Sequence, residues 1–132
     1  MIFGIGNDVI EIDRVAAAVA RHGERFAGRI LGPRELVIYQ ARRRRSPQRG
    51  TAFLATRFAA KEAISKAVGL GMRWPMTWRS VEIVPEASGR PCAVANGEFA
   101  VFLAGKGLRL QVSLADIANL AVAQAVAETA DG

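Results

Sequence analysis

At 132 residues, with 51% hydrophobic and 23% charged side chains, the chain has the length and balance of one soluble globular domain, which excludes disorder. A single cysteine, Cys92, and a single histidine, His22, exclude an internal disulfide, a cysteine-based zinc cluster and the common histidine-rich metal sites, and they fit a reducing compartment. The net charge of +6 is concentrated: ten arginines lie between positions 14 and 49 against Glu24 and Glu35, a field that draws nucleic acid, phosphorylated small molecules or an acidic protein.

In chain order, MIFGIGNDVIEIDRV opens with apolar residues and then alternates at period two, which predicts a strand. From Asp13 the chain turns alanine-rich, and Arg14, Arg21, Arg25 and Arg29, spaced mostly by four or seven, are expected along one helical face. GPREL reads as a break and a new short helix, and RRRRSPQRG as a solvated loop, because Ser-Pro continues a helix poorly. Thr51 is the predicted N-cap of a long helix that Gly69 and Gly71 stop. MRWPMTW is an irregular connection, SVEIVPEASGRPCAVA a hairpin turning at Ser88-Gly89, GEFAVFLAGKGL a short helix, and RLQVSLADI a strand. NLAVAQAVAE fits either state: its alanines favour helix, and its alternation permits strand. No Lys or Arg precedes Arg14, Asp8, Glu11 and Asp13 interrupt any signal-like apolar run, and no stretch has transmembrane length, so a cytoplasmic location without a membrane partner is expected.

The long helix poses the chemical question. Leu54, Phe58, Ile64 and Val68 give it one apolar side and Ala55, Ala59, Ala60, Ala63 and Ala67 a small-residue side, yet Arg57, Lys61, Glu62, Ser65 and Lys66 share the same turns. A Glu62–Lys66 surface pair, worth about 0.3–0.5 kcal/mol, is the plain reading. Against it, ionised groups on a helix packed on two sides cost several kcal/mol each unless well paired. A hard cation with an anionic ligand removes that cost: Asp8 and Glu62, with no His or Cys nearby, suit Mg²⁺, and Lys66, with Lys61 or Arg57, would neutralise phosphate. Gly4-Ile5-Gly6 lacks the third glycine of a dinucleotide fingerprint, there is no Walker A sequence, and His22 reads as a surface side chain and not as part of a Ser-His-Asp set.

FGIGNDVIEIDRV (3–15), RFAAKEAISKAVGLGM (57–72), RFAGRIL (25–31), VEIVPEASGRP (81–91) and VSLADIANLAVAQAVAE (112–128) together resemble the holo-acyl-carrier-protein synthase family of phosphopantetheinyl transferases, in order and over nearly the whole chain. The resemblance implies a single α+β domain over residues 1–132, an antiparallel sheet packed with a long central helix, assembled as a homotrimer whose sites are shared between subunits. It implies transfer of 4′-phosphopantetheine from coenzyme A to a serine of an acidic acyl carrier protein, in fatty-acid synthesis. Asp8 and Glu62 match the Mg²⁺ ligands and Lys66 the lysine near the coenzyme phosphates. Lys61, Ser65 and Gly69 lie in the coenzyme-binding helix, and Arg57 and the run from Arg42 to Arg45 fall where the nucleotide end binds. Arg14, Arg21 and Arg25 match the basic helix that docks the carrier. The resemblance makes residues 120 to 127 a strand. Gln111 stands where histidine is common, and Leu70 where threonine is common. Two other readings are a nucleic-acid-binding module, for which the arginine-rich stretch offers only Phe26 and Tyr39 as aromatics, and a noncatalytic trimeric scaffold.

Overall fold

The computed structural model describes residues 1–130. Strand β1, Ile2–Glu11, is followed by helices α1, Ile12–His22, α2, Glu24–Ile30, α3, Pro33–Arg45, and α4, Pro47–Ala67. A 3₁₀ turn at Trp78–Ser80 leads into β2, Val81–Pro85, and β3, Pro91–Ala95; helix α5, Gly97–Gly105, then precedes β4, Leu108–Ile117, and β5, Leu120–Thr129. The strands form an antiparallel three-stranded sheet in the order β1-β5-β4 and a separate β2-β3 hairpin. This is the expected single α+β domain, with α4 as its central helix.

Three expectations about the helices are corrected. Gly23, at φ +65°, breaks the first basic helix, so Arg14 and Arg21 stand on α1 and Arg25 and Arg29 on α2. The break lets Val15 of α1 and Ala27 and Ile30 of α2 enter the same core. Helix α3 runs through the arginines that read as a loop. Its neighbour α4 begins four residues before Thr51: Ser46 is the N-cap, its hydroxyl accepting from the Arg49 N–H at 3.4 Å, and Pro47 occupies the first helical position, where a missing N–H and a fixed φ favour helix initiation. Thr51 lies inside that helix, its hydroxyl donating to the Pro47 carbonyl at 3.0 Å. The ambiguous tail is a strand because it fills the slot between β1 and β4 and pairs with both.

Cross-strand partners share a face of a sheet. Gly4, Gly6 and Asp8 of β1, Ala121, Ala123, Ala125 and Ala127 of β5, and Leu110, Val112 and Leu114 of β4 therefore face one way, and α4 lies against them. The contact is close: a Cβ at Gly4 would stand 2.0 Å from the Ala67 carbonyl oxygen, and one at Gly6 2.1 Å from that of Ala63. Two cores flank α4. Ala59, Ala63, Ile64 and Ala67 join Val81, Ile83 and Phe99 in one; Phe53, Leu54 and Ala55 join Val15, Ile30, Leu31 and Tyr39 in the other. On the opposite face of the sheet Ile5 and Val9 are exposed, beside the exposed Gln124 and Leu120.

Candidate functional site

The close packing of α4 on β1 decides where the charged groups meet. Asp8 alternates with Gly6 along β1, so its carboxylate points to the helix side, and Glu62 and Lys66, one turn apart on α4, line the same edge. The Lys66 ammonium donates to the Asn7 carbonyl at 3.0 Å and to Asp8 Oδ1 at 3.3 Å. Burial, and then the neighbouring Asp8 charge, push the Glu62 carboxyl above its ordinary pKa, with Lys66 pulling the other way. Two carboxylates thus share one half-exposed lysine and leave an excess of negative charge.

That donor set fits Mg²⁺. It is all oxygen, and among the described residues no group of three or more His, Cys, Asp and Glu could hold a metal, so the remaining positions would fall to water and phosphate, the coordination that Mg²⁺ prefers. Ser65 directs its hydroxyl hydrogen into the helix end. The Ser65 hydroxyl donates to the Glu62 carbonyl at 2.6 Å, and its own carbonyl accepts the N–H groups of Leu70 and Gly71. Gly69, at φ +80°, lets the chain turn away beneath Lys66. Lys61 is also displaced from its expected place. It is completely buried, and its ammonium is bonded to Glu35 and the Ile30 carbonyl, because its side chain leaves α4 toward α2 and α3.

On the far flank of α4, beside β4, Arg42, Arg45, Arg49 and Arg57 line a cleft of about 460 Å³ with Leu114 and Asp116. Arg57 is held rigidly: its Nε donates to the Ile83 carbonyl at 3.2 Å, its Nη1 to the Thr56 hydroxyl at 3.3 Å, and its guanidinium lies 4.0 Å from the Phe53 ring centroid. Burial lowers its pKa to about 10, Glu35 opposing and Arg42 adding to the shift, so it stays a cation at neutral pH. Such a cleft suits a multiply charged anion. Arg42 and Arg45 belong to the run that the resemblance assigns to the nucleotide end, whereas Arg49 and Asp116 were not singled out as site residues in the sequence; the spacing of Arg42, Arg45 and Arg49 on consecutive helices was the signal for Arg49, masked by reading the stretch as a loop.

A third feature is the basic flank. Arg14 is exposed on α1, and Arg21, Arg25 and Arg29 surround a hollow of about 210 Å³ with His22 and Phe26. The Phe26 ring stacks on Phe58 at 6.4 Å, and Phe58 on Trp78 at 4.7 Å, an aromatic row reaching α4 one turn before Glu62. Gln111 accepts from Arg90 at 2.7 Å and donates to Glu128 at 3.2 Å on the outer face of the sheet. Among the described residues no helix is long and apolar enough to cross a membrane.

With this geometry in view, comparison with known proteins gives a consistent picture. The family profile of the 4′-phosphopantetheinyl transferase superfamily matches residues 4–125. A holo-[acyl-carrier-protein] synthase of Cupriavidus taiwanensis is 58% identical over 128 residues, covering 97% of this chain and 91% of its own length. The crystal structure of the Neisseria meningitidis holo-[acyl-carrier-protein] synthase superposes with a TM-score of 0.88 at 36% identity, covering 98% of this chain and all of that one. A Bacillus anthracis holo-(acyl-carrier-protein) synthase in complex with CoA (3′,5′-ADP) superposes with a TM-score of 0.79 at 31% identity, over 98% of this chain and 99% of the other.

Proposed function

The chain belongs to the 4′-phosphopantetheinyl transferase superfamily, and on that premise we propose that it acts as a Mg²⁺-dependent, homotrimeric holo-[acyl-carrier-protein] synthase of the cytoplasm. Its reaction moves the 4′-phosphopantetheine group from coenzyme A to a serine of the apo-acyl carrier protein. The observation that carries this reading is the meeting of Asp8 and Glu62 across β1 and α4, with Lys66 between β1 and the site.

The serine hydroxyl attacks the phosphorus attached to pantetheine; a new P–O bond forms as the phosphoanhydride bond breaks, and adenosine 3′,5′-bisphosphate leaves with the bonding electrons. Asp8 and Glu62 would hold Mg²⁺, which when bound neutralises charge on the pyrophosphate. Lys66 contributes its charge to the same oxygens. Glu62, whose carboxyl is pushed above its ordinary pKa by burial and then by the Asp8 charge, would accept the serine proton, in competition with water at this exposed edge. Arg42, Arg45 and Arg57 hold the phosphorylated nucleotide end.

The carboxylates and the arginine cleft lie on opposite flanks of α4, by β1 and by β4 with β5 between them. Sharing each site between neighbouring subunits brings the two half-sites together, and the exposed Ile5 and Val9 supply the apolar face for that assembly. Sedimentation should give a particle of three 14.1 kDa chains, reduced to one chain by Val9→Lys; a wild-type monomer active at all concentrations would refute the shared site.

Arg14, Arg21 and Arg25 form the carrier-docking surface. Arg21→Glu is expected to raise KM for the carrier by about tenfold at low salt, with KM for coenzyme A unchanged and the difference shrinking as salt is added. Equal effects on both substrates would place Arg21 elsewhere. The function as a whole is tested by the intact mass of an apo-acyl carrier protein incubated with this protein and coenzyme A, with Mg²⁺ or with a chelator. The expected result is a gain of one phosphopantetheine with Mg²⁺ alone; a folded trimer that binds coenzyme A and modifies no carrier would be a scaffold.

A further inference from the structure

Lys61 lies next to Glu62 in sequence, but its side chain ends in a densely bonded, buried polar cluster. Its ammonium donates to the Ile30 carbonyl at 2.5 Å and to Glu35 Oε1 at 2.6 Å, and both side chains of the pair are fully buried. Glu35 Oε1 also accepts the Gly32 N–H at 2.9 Å, and Oε2 accepts the Ile83 N–H at 2.8 Å. A second carboxylate, Glu82, accepts the N–H groups of Arg34 and Glu35 at 2.8 and 3.2 Å and the Arg34 Nε at 3.0 Å. Burial works against the charge on Glu82, but the Arg34 side chain and these two N–H groups outweigh it and hold its pKa below the ordinary value. There is no slack: a Cβ on Gly32 would stand 2.6 Å from the Glu82 carboxylate, and among the described residues no buried side-chain polar atom lacks a partner.

The elements that converge here are the ones that carry the site. Ile30 ends α2, which bears Arg25 and Arg29; Gly32 is the N-cap of α3 and Glu35 lies in its first turn, and α3 bears Arg42 and Arg45; Lys61 is on α4 beside Glu62; and Ile83 is on β2. A buried ion pair contributes little net stability compared with apolar residues of the same volume. What it imposes is distance and direction, since every charge-assisted bond is short and oriented. We propose that the Lys61–Glu35 pair is a positioning joint, fixing α2, which carries the Arg25 end of the carrier-docking surface, and the nucleotide-holding helix α3 relative to Glu62, while Glu82 fixes α3 alone. This assignment rests on the transferase reading above. It replaces the role of phosphate ligand for Lys61, whose buried and bonded ammonium has no route to a ligand.

The test is a pair of variants assayed well below their melting temperatures. Lys61→Met/Glu35→Gln removes both charges at nearly constant volume and leaves an amide to meet the Ile83 or Gly32 N–H. It should raise KM for coenzyme A and for the carrier together, each by about tenfold, with kcat within about twofold of wild type, because docking geometry and not the reacting groups is disturbed. Wild-type KM values with only a lowered Tm would make the pair purely structural and overturn the proposal. Glu82→Gln, assayed alongside, keeps the proposal open to refutation even where the double variant does not fold. It should raise KM for coenzyme A by several-fold and leave the carrier KM unchanged, and equal changes in both, or none, would overturn the joint. Wild-type enzyme that transfers nothing would instead count against the functional reading itself.

Discussion

Glu62→Gln is expected to lose transfer activity by about a hundredfold or more and, in metal-free buffer at neutral pH, to melt at a higher temperature than the wild type. The two halves have one cause. Burial, and then the negative charge of Asp8, raise the pKa of Glu62 above its ordinary value of 4.5, so across that interval the folded protein holds a proton there that the unfolded chain releases. Across the window from that value up to the raised pKa, the folded state binds more protons than the unfolded one, and stability falls as pH rises; above the window the full penalty of the ionised group remains. Gln removes the charge and the penalty with it. The difference in Tm between variant and wild type should therefore be absent in acid, open as pH rises above the ordinary carboxylate range, and close again when Mg²⁺ is added to the wild type. Mg²⁺ should not raise the Tm of the variant comparably. Retention of activity by Glu62→Gln, or a variant Tm below wild type at neutral pH without metal, would remove Glu62 from the centre of the site.

The second large effect concerns a residue with no chemistry of its own. Gly6→Ala should destabilise the protein by about 3 kcal/mol, lowering Tm by about 10 °C, because the new methyl would stand 2.1 Å from the Ala63 carbonyl oxygen and 2.9 Å from Lys66 Cβ. Neither the middle of a strand nor the middle of a helix can yield without breaking its hydrogen bonds. The outcome is that β1 moves off α4 and takes Asp8, two residues on, away from Lys66 and Glu62. The folded fraction should accordingly show a reduced kcat and weaker Mg²⁺ binding. Gly28→Ala is the control: a Cβ at that position in α2 meets nothing within 4 Å. It should be neutral or stabilising by about 0.5 kcal/mol through the unfolded chain. Calorimetry on the two variants decides the point, and a Gly6→Ala protein as stable and active as the control would show that the helix and strand do not depend on their close approach.

The same closeness explains the mixed helix that the sequence presents. Its alanine side lies against the alanines of β5 and the glycines of β1, its large apolar residues fill the cores on either flank, and each charged residue has a separate destination. Arg57 goes to the arginine cleft, Lys61 to Glu35, and Glu62 with Lys66 to Asp8.

Much of this was legible without coordinates. Strands β1 and β4, the β2-β3 hairpin and the stop of α4 at its glycines follow from alternation and turn chemistry, which act between near neighbours in the chain. The two carboxylates were singled out by their residue types on packed elements, and the resemblance of five segments to one family supplied the reaction. The tertiary structure alone decided the rest. Ser46-Pro47 is locally a break and also a helix start, and only the docking of both α3 and α4 on the second core makes both flanks helical. Residues 120 to 129 are strand because β1 and β4 present hydrogen-bonding edges on both sides, which outweighs the helix preference of alanine. Lys61 and Lys66 are similar in local sequence, five residues apart on one helix. One is sealed against a carboxylate 26 positions earlier, and the other reaches a strand edge 58 positions away. Periodicity reports which face of an element a residue occupies, but the fate of an ionised side chain depends on the charge placed opposite it, and for these two lysines that partner comes from a distant part of the chain.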